Sequence, residues 1–540
     1  MTLQADLILH GGKIATLDEQ ETVVDAVACW RGRIIATGSS DEVMAWRGDS
    51  TRITDLGGQT AIPGLIDSHC HPDSHAITAT LWEEVKPNRI GSVDAMLKLV
   101  AEKTATMADG DWFRAFGYDD RKCGGYPTLD QLDAVAHGKP VYIGRTDGHI
   151  AVVNSAMLRV FDIPDDAADP PHGRYDRDEN GRMTGLLREA AARQMVLKMN
   201  EAYTVEQYAT GLKHVFGLYL RNGVTSMHNS LTKPRGVEAY MNLLEVDELV
   251  MRIGIIVNGD DDQMTEDVLK AGLRTGFGDE WLRIVGIEWC PDCSTSGRTA
   301  AYYEPYVGEA VPGEPVPNTG MLLYDADDLR EKVVRCHGAG LRVCVEGVGD
   351  RGIDFALDAI EAALKTHPKD DHRSRVEHCC YVTPPLVKRL KDLDVTDSSA
   401  TGFMYDLGDA YRNNRGEPAM DDMWPHRSLI DAGVPAPGHS DANICSTNPW
   451  PVFDSLVNRR TDSGGPLGKS QAITVTEALR TYTTLGAWTG FEENLKGSIE
   501  VGKLADFAVL DRDPWTIDSM DLKNVQVTTT IVGGDVVYEA

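Results

Sequence analysis

The stretch AIPGLIDSHCHPD, residues 61–73, decides the fold and gives the first sign of chemistry. Its apolar run, residues 62–66, predicts a short buried strand. Because side chains alternate along a strand, His69 and His71 are expected to point to the same side at the strand's end. Two imidazoles that converge in this way suit a metal ion, although a pair of surface histidines would show the same spacing. Residues elsewhere in the chain have to distinguish these two interpretations.

Short apolar runs separated by amphipathic segments follow this stretch, a pattern typical of βα units and a parallel sheet. Eight strands are predicted, at residues 62–68, 224–228, 251–257, 282–289, 341–346, 375–379, 394–399 and 434–440. Eight such strands favour an α/β fold of the (β/α)8 barrel type, whose active site lies at the carboxyl ends of the strands. The gap between the first two strands is too long for one helix and predicts a large insertion, at about residues 75–215.

The two ends of the chain have a different texture, with short alternating strands and turn residues. Each end is too small to close a core alone, so we expect both to build one small β-sandwich. The predicted division is residues 1–60 with 490–540 for the sandwich and residues 61–489 for the barrel.

The charge balance restricts the partners. The chain has 53 Lys and Arg against 83 Asp and Glu, a formal net charge of -30, which repels phosphate backbones and anionic lipids. We therefore expect a small-molecule substrate and neither nucleic acid nor membrane as a partner. No stretch approaches the ~18 apolar residues of a membrane span, and no basic and apolar leader is visible, so a cytoplasmic location is predicted. The ten cysteines are scattered and are predicted to be reduced thiols.

Side chains that bind metals stand at or near the ends of five predicted strands. They are His69 and His71 on the first, Glu288 on the fourth, Glu346 on the fifth, His378 on the sixth and Asp441 after the eighth. Ionisable groups are costly to bury unless they are paired or coordinated, so a shared cation explains this distribution. The alternative is that Glu288 and Glu346 are ordinary ion-pair partners.

Two short motifs offer other chemistry. Residues 347–352 spell G-x-G-x-x-G after a strand, as in dinucleotide-binding folds, but no second half of such a fold accompanies them. Cys290 and Cys293 form a C-x-x-C pair, which is a weak zinc motif without a second pair. Both thiols are predicted to line the pocket.

Together these residues resemble the metal-dependent amidohydrolase superfamily, and in particular its family 3, which includes N-substituted formamide deformylases. The resemblance covers nearly the whole chain. Its motifs are residues 63–71, 145–149 with 154–155, 223–228, 376–378, 439–441 and 497–506. The resemblance implies a barrel with a β-sandwich, hydrolysis of an amide-like bond by a metal-activated water, zinc as the metal and a homodimer.

Two positions depart from the family pattern. Glu288 stands where family members usually have a bridging lysine that becomes carbamylated, and Glu346 stands where they usually have a histidine. A carboxylate can bridge two cations as a carbamate does, and a site richer in oxygen shifts preference toward manganese or iron(II). The alternative is a single cation held by His69, His71 and Asp441, with both glutamates shaping the pocket.

The expected mechanism follows from this metal site. A bound cation lowers the pKa of water from about 15.7 toward about 7. Asp441 is then the predicted proton acceptor, and His149 or His228 the predicted helper for the tetrahedral oxyanion. Aromatic residues, Trp289 and Trp424 among them, suggest a small N-substituted amide as the substrate. A decarboxylase, an isomerase or a binding protein without chemistry is the alternative function.

Overall fold

The computed structural model describes residues 3–310 and 314–540. The strands in these ranges are β1 (Leu7–Ala15), β2 (Val23–Trp30), β3 (Arg33–Gly38), β4 (Arg52–Asp55), β5 (Thr60–Pro63), β6 (Leu65–Cys70), β7 (Glu83–Glu84), β8 (Phe113–Tyr118), β9 (Val141–Arg145), β10 (Ile150–Val153), β11 (Gly173–Arg177), β12 (Met183–Glu189), β13 (Val224–Thr232), β14 (Arg252–Asn258), β15 (Leu282–Trp289), β16 (Val343–Gly347), β17 (Arg375–His378), β18 (Thr396–Ser399), β19 (Phe507–Leu510), β20 (Val527–Val532) and β21 (Asp535–Glu539).

Helices connect most of these strands. They are α1 (Ser40–Met44), α2 (Pro72–Leu81), α3 (Val93–Thr104), α4 (Asp120–Cys123), α5 (Leu129–Val135), α6 (Ser155–Val160), α7 (Ala190–Asn200), α8 (Val205–Leu220), α9 (Pro234–Glu245), α10 (Asp262–Lys270), α11 (Ala326–Gly338), α12 (Asp350–Thr366), α13 (Pro384–Asp392), α14 (Thr401–Asp406), α15 (Gly408–Arg415), α16 (His426–Ala432), α17 (Trp450–Asn458), α18 (Val475–Thr481) and α19 (Thr484–Thr489).

Seven parallel strands form the barrel sheet, in the order β18-β17-β16-β15-β14-β13-β6. The predicted eighth strand, residues 434–440, is an extended segment that lies between β18 and β6. The carbonyls of Pro435 and Pro437 accept hydrogen bonds from the β18 backbone. These prolines have no N–H to donate, so the pairing with β18 is incomplete. On the other side the Ser68 Oγ donates to the Gly438 carbonyl at 2.9 Å. The barrel fold is therefore confirmed, with an irregular closing segment.

The predicted insertion contains a sheet of its own, in the order β11-β12-β10-β9-β8-β7. Strands β7, β8 and β9 are parallel to one another, while β9 to β12 pair antiparallel. A separate hydrophobic core beneath it includes Met96, Phe113, Leu132 and Val141. This core packs the insertion's own sheet and helices together, and the insertion lies beside the carboxyl ends of the barrel strands.

Strands from both ends of the chain join in one sheet, in the order β21-β20-β19-β5-β1-β2-β3, with β4 also paired to β1. The first half of β1 pairs with β4 and its second half with β5, with a bulge between His10 and Ile14. Residues from both halves of the sheet, such as Val27 and Phe507, pack in one core. The two ends thus build one module, as predicted. The division at residues 60 and 490 stays a prediction.

None of the helices in the described ranges is long and apolar enough to cross a membrane.

Candidate active site

Three predicted metal ligands converge at the carboxyl ends of the barrel strands. His69 is near the end of β6, His378 is the last residue of β17, and Asp441 follows the closing segment. The His69 Nε2 lies 3.4 Å from the Asp441 Oδ1. One ligand atom from each of the three buried residues lies within 4.8 Å of the other two. A single cation can therefore contact all three.

The backbone is strained where these side chains turn into the site. His378 has φ 73° and Asp441 has φ 56°, in the left-handed region that residues other than glycine rarely adopt. Asp441 N donates to the His69 carbonyl at 3.1 Å, and Ser440 N donates to the Asp67 carboxylate at 3.0 Å. Strain of this kind persists only where surrounding contacts fix it, and it is concentrated at functional sites.

His71 joins the same cluster from the start of α2. Its Nε2 lies 3.0 Å from the Asp441 Oδ1, and its ring centroid is 5.2 Å from that of His69. The His71 Nδ1 donates to the Ser230 carbonyl at 3.1 Å. This hydrogen bond leaves the Nε2 lone pair facing the cluster, which is the tautomer that a metal ligand needs.

Four atoms of the predicted metal ligands are buried without a hydrogen-bond partner among the described residues. They are the His69 Nε2, the His378 Nδ1, the Glu288 Oε1 and the Asp441 Oδ1. A buried polar atom left without a partner costs about 1–3 kcal/mol. Imidazole nitrogens and carboxylate oxygens are common ligands of divalent cations, so these residues fit a metal ion.

Electrostatics set different protonation states within the cluster. Burial opposes the ionisation of Asp441, but His378, His69 and His71 outweigh it and hold the pKa of this carboxyl well below its usual range. Burial lowers the pKa of His378 to about 3, so its imidazole is neutral and can coordinate a cation. At neutral pH the cluster therefore combines an ionised carboxylate with a neutral ligand imidazole.

The two predicted glutamate ligands lie farther from the histidines than Asp441 lies from His69 and His71. The Glu288 Oε2 lies 3.9 Å from the His69 Nδ1 and accepts a hydrogen bond from the Ser230 Oγ. The Glu346 Oε1 lies 3.7 Å from the His378 Nε2. Burial raises the pKa of Glu288 to about 7 and that of Glu346 well above its usual value. Both carboxyl groups line the same pocket as the histidines.

Glu377 is a site residue that the sequence analysis missed. Its Oε2 accepts hydrogen bonds from the His69 Nδ1 at 2.8 Å and the Arg375 Nη2 at 2.6 Å. Burial opposes the ionisation of Glu377, but Arg375 and His69 hold its pKa well below the usual range. A carboxylate on the far nitrogen of a ligand histidine fixes the ring and its tautomer. The sequence does contain one signal for this role, because Arg375 and Glu377 stand two residues apart and therefore on the same face of one strand.

A family model described as amidohydrolase family matches residues 52–538. The chain belongs to this family. The prediction of a hydrolase that acts on carbon–nitrogen bonds is thereby confirmed at the level of the family. The N-substituted formamide deformylase of Arthrobacter pascens is 27% identical over 557 residues, covering 100% of this chain and 99% of that protein.

Two further proteins are similar to this chain over nearly its whole length. The protein LONG AFTER FAR-RED 3 of Arabidopsis thaliana is 26% identical, covering 99% of this chain and 92% of its own. The crystal structure of an uncharacterized metal-dependent hydrolase from Pyrococcus horikoshii has a TM-score of 0.76 at 24% identity, covering 95% of this chain and 99% of that one. At that identity, the structural likeness supports the fold alone.

In this amidohydrolase the two predicted helper histidines occupy different places. His149 lies between β9 and β10 of the insertion and lines the pocket, and its Nδ1 donates to the Glu189 Oε2 at 2.7 Å. Burial opposes protonation of His149, but Glu189 outweighs it and raises its pKa to about 10. His228 is fully buried in the barrel, 4.0 Å from Glu492, and is not among the residues that line the pocket.

The insertion also supplies much of the apolar lining. Trp82, Phe116 and Tyr142 face the pocket of the amidohydrolase from this side. Trp289 and Trp424, which the sequence suggested as lining, are fully buried in the core and do not line the pocket. Cys290 does line it, as predicted, and Cys293 lines a smaller adjoining cavity.

Proposed function

We propose that this amidohydrolase hydrolyses the amide-type C–N bond of a small, N-substituted amide. The observation that carries the proposal is the cluster of His69, His378 and Asp441, which opens into a pocket with an apolar wall. The name of the Arthrobacter pascens relative supports the same class of bond.

We assign one or two divalent cations to the strand ends. His69, His71, His378 and Asp441 would hold the first, and Glu288 and Glu346 supply the oxygen ligands for a second. When bound, such a cation acts as a Lewis acid toward water and the substrate carbonyl. The histidine ligands favour zinc, while the glutamates make manganese or iron(II) the alternative.

Asp441 is the proposed proton carrier. Its low pKa keeps the carboxylate ionised at neutral pH, so it can accept the proton of the attacking water and pass it to the leaving nitrogen. His149 is the proposed donor to the carbonyl oxygen, because Glu189 keeps the ring charged and the ring faces the pocket. His228 lies outside the pocket, which favours His149 over it for this role.

The pocket favours an apolar N-substituent. The Lys and Arg side chains in its lining are engaged elsewhere, since Lys233 donates to Ser74 and Arg193 is paired with Asp260. The aromatic wall described above is left to contact the substrate. A substrate with an uncharged aromatic or aliphatic group on nitrogen is therefore proposed.

The substitution Asp441→Asn tests this function. It removes the proton carrier while keeping the side chain's size and one oxygen that can contact the cation, so turnover on a panel of N-substituted amides should fall about 10²- to 10⁴-fold with metal content nearly intact. Asp397→Asn is the matched control, because Asp397 is a fully buried carboxyl of β18 outside the pocket lining. An active Asp441→Asn enzyme would rule out the assigned role, and products of decarboxylation or isomerisation would rule out hydrolysis.

The cytoplasmic location and the homodimer stay proposals. Light scattering on the purified protein tests the oligomeric state directly, with a mass near twice that of one chain as the expected result.

A further inference from the structure

A group of metal-binding side chains separate from the strand-end histidines lies where the insertion meets the barrel. His149 comes from the turn between β9 and β10, Glu189 from the end of β12, and Cys293 from the loop after β15. One ligand atom from each residue lies within 4.8 Å of the other two. This group shares no residue with the group formed by His69, His378 and Asp441.

The Glu189 carboxylate is incompletely satisfied. Its side chain is 1% exposed, and only its Oε2 is engaged, by the His149 Nδ1 at 2.7 Å. Its Oε1 is buried and has no hydrogen-bond partner among the described residues. Since native structures rarely leave a buried carboxylate oxygen unpaired, this atom indicates a missing partner. Cys293 is itself fully buried, and its Sγ donates to the Met321 carbonyl at 3.8 Å.

We propose that the His149 Nδ1, the Glu189 carboxylate and the Cys293 thiolate bind a cation of the zinc type. The three donors are nitrogen, oxygen and sulfur, and thiolate selects zinc over harder cations such as manganese or magnesium. On binding, the Cys293 thiol and the charged His149 ring each lose a proton to solvent, and His149 coordinates as a neutral ring through its Nδ1. One thiolate and one carboxylate then balance the charge of the dication.

This site differs in function from the strand-end cluster. Two of its ligands belong to the insertion and one to a barrel loop, so the cation fixes the insertion against the barrel. The His149 Nε2–H stays free to face the substrate pocket, because the Nδ1 is the ligand atom. Glu346 lies between the two sites, in a small cavity lined also by His149, Cys293, His378 and Asp441.

Sulfur distinguishes the two sites experimentally. The strand-end ligands are histidines and carboxylates alone, so a thiolate-to-cobalt charge-transfer band in the cobalt(II)-substituted full-length protein reports only a site with cysteine. We expect this band in the parent protein and its loss in Cys293→Ser. Cys290→Ser is the matched control, since Cys290 is the other buried thiol of the C-x-x-C pair and belongs to neither ligand group. It should keep the band.

Two further variants separate this inference from the proposed function. His149→Ala should lose the band, so that the loss does not depend on a folding defect of Cys293→Ser alone. His378→Ala should keep the band and lose only the strand-end cation. Elemental analysis should show one cation fewer per chain in Cys293→Ser than in the parent. A cobalt-loaded parent without the band, or a band that survives Cys293→Ser, overturns the proposal, and neither result depends on amide turnover.

Discussion

The ring of strand ends has two unlike halves. On one side His69, His378 and Asp441 lie close together, and the neighbouring histidines hold the pKa of Asp441 well below its usual range. On the other side Glu288 and Glu346 are buried carboxyl groups whose pKa values are raised. The histidine half is therefore ordered by its own contacts, whereas the carboxylate half needs added positive charge to be ionised. We therefore expect the histidine half to bind a cation first.

The largest effect is expected from His378→Ala, which removes a ligand from the histidine half. Cation affinity should fall by more than about 100-fold, because losing a ligand costs more than losing a residue that only hydrogen-bonds to a ligand. Amide turnover should fall with it. Titration calorimetry of the metal-stripped protein measures the affinity.

His228→Ala provides the control, because His228 is equally buried but lies below the pocket. It should retain the cation. If both variants bind metal as tightly as the parent, the histidine half is not the first binding site.

The next effect is expected from Glu377→Gln. The amide cannot hold the His69 Nδ1–H as firmly, so cation affinity should drop about 10- to 100-fold. The change also leaves Arg375 without its buried carboxylate, which costs about 3–5 kcal/mol of stability. Metal titration and thermal unfolding separate the two effects. Unchanged affinity in a destabilised protein would assign Glu377 to structure alone.

These residues show what the sequence could predict. Parallel strands bring their carboxyl ends to one face, so His69, His378 and Asp441 could be placed together from strand prediction alone. The closing segment was predicted as a strand because its apolar pattern is strand-like, but Pro435 and Pro437 reduce its pairing. The role of Glu377 depends on a contact between β6 and β17, which single-strand patterns do not specify.

His228 shows how a strand boundary decides a site assignment. The predicted second strand ends at this residue, but β13 continues to Thr232, so His228 lies inside the barrel and Ser230 reaches the site instead. The prediction that Trp289 and Trp424 line the pocket was wrong for another reason. It comes from the insertion, through Trp82, Phe116 and Tyr142, whose packing against the barrel is a long-range contact.

A smaller effect is expected from Glu288→Gln, which alters the carboxylate half at the residue nearest His69. If Glu288 bridges two cations, the variant should bind one cation where the parent binds two, with turnover lowered about tenfold. Elemental analysis after dialysis counts the bound metal. An unchanged metal content would favour a single-cation site in which Glu288 only shapes the pocket.

The smallest effect is expected from Glu346→Gln in the metal-stripped protein, and its size depends on pH. Burial raises the pKa of Glu346 in the folded state above its value in the unfolded chain, so ionisation costs folding free energy as pH rises above the unfolded value. Glutamine carries no such cost. The variant should therefore be more stable than the parent by about 1–3 kcal/mol at neutral pH, and the difference should vanish below about pH 4.

Chemical denaturation between acid and neutral pH measures this difference, and Glu102→Gln on the exposed face of α3 should show none of it. With a saturating cation the parent should be more stable than Glu346→Gln, because the Glu346 carboxylate then gains a positive partner that a neutral glutamine does not bind as strongly. A variant that is less stable than the parent at neutral pH without metal would mean that Glu346 is already compensated by His149 and His378. In that case the two halves of the ring would be equally ordered before a cation binds.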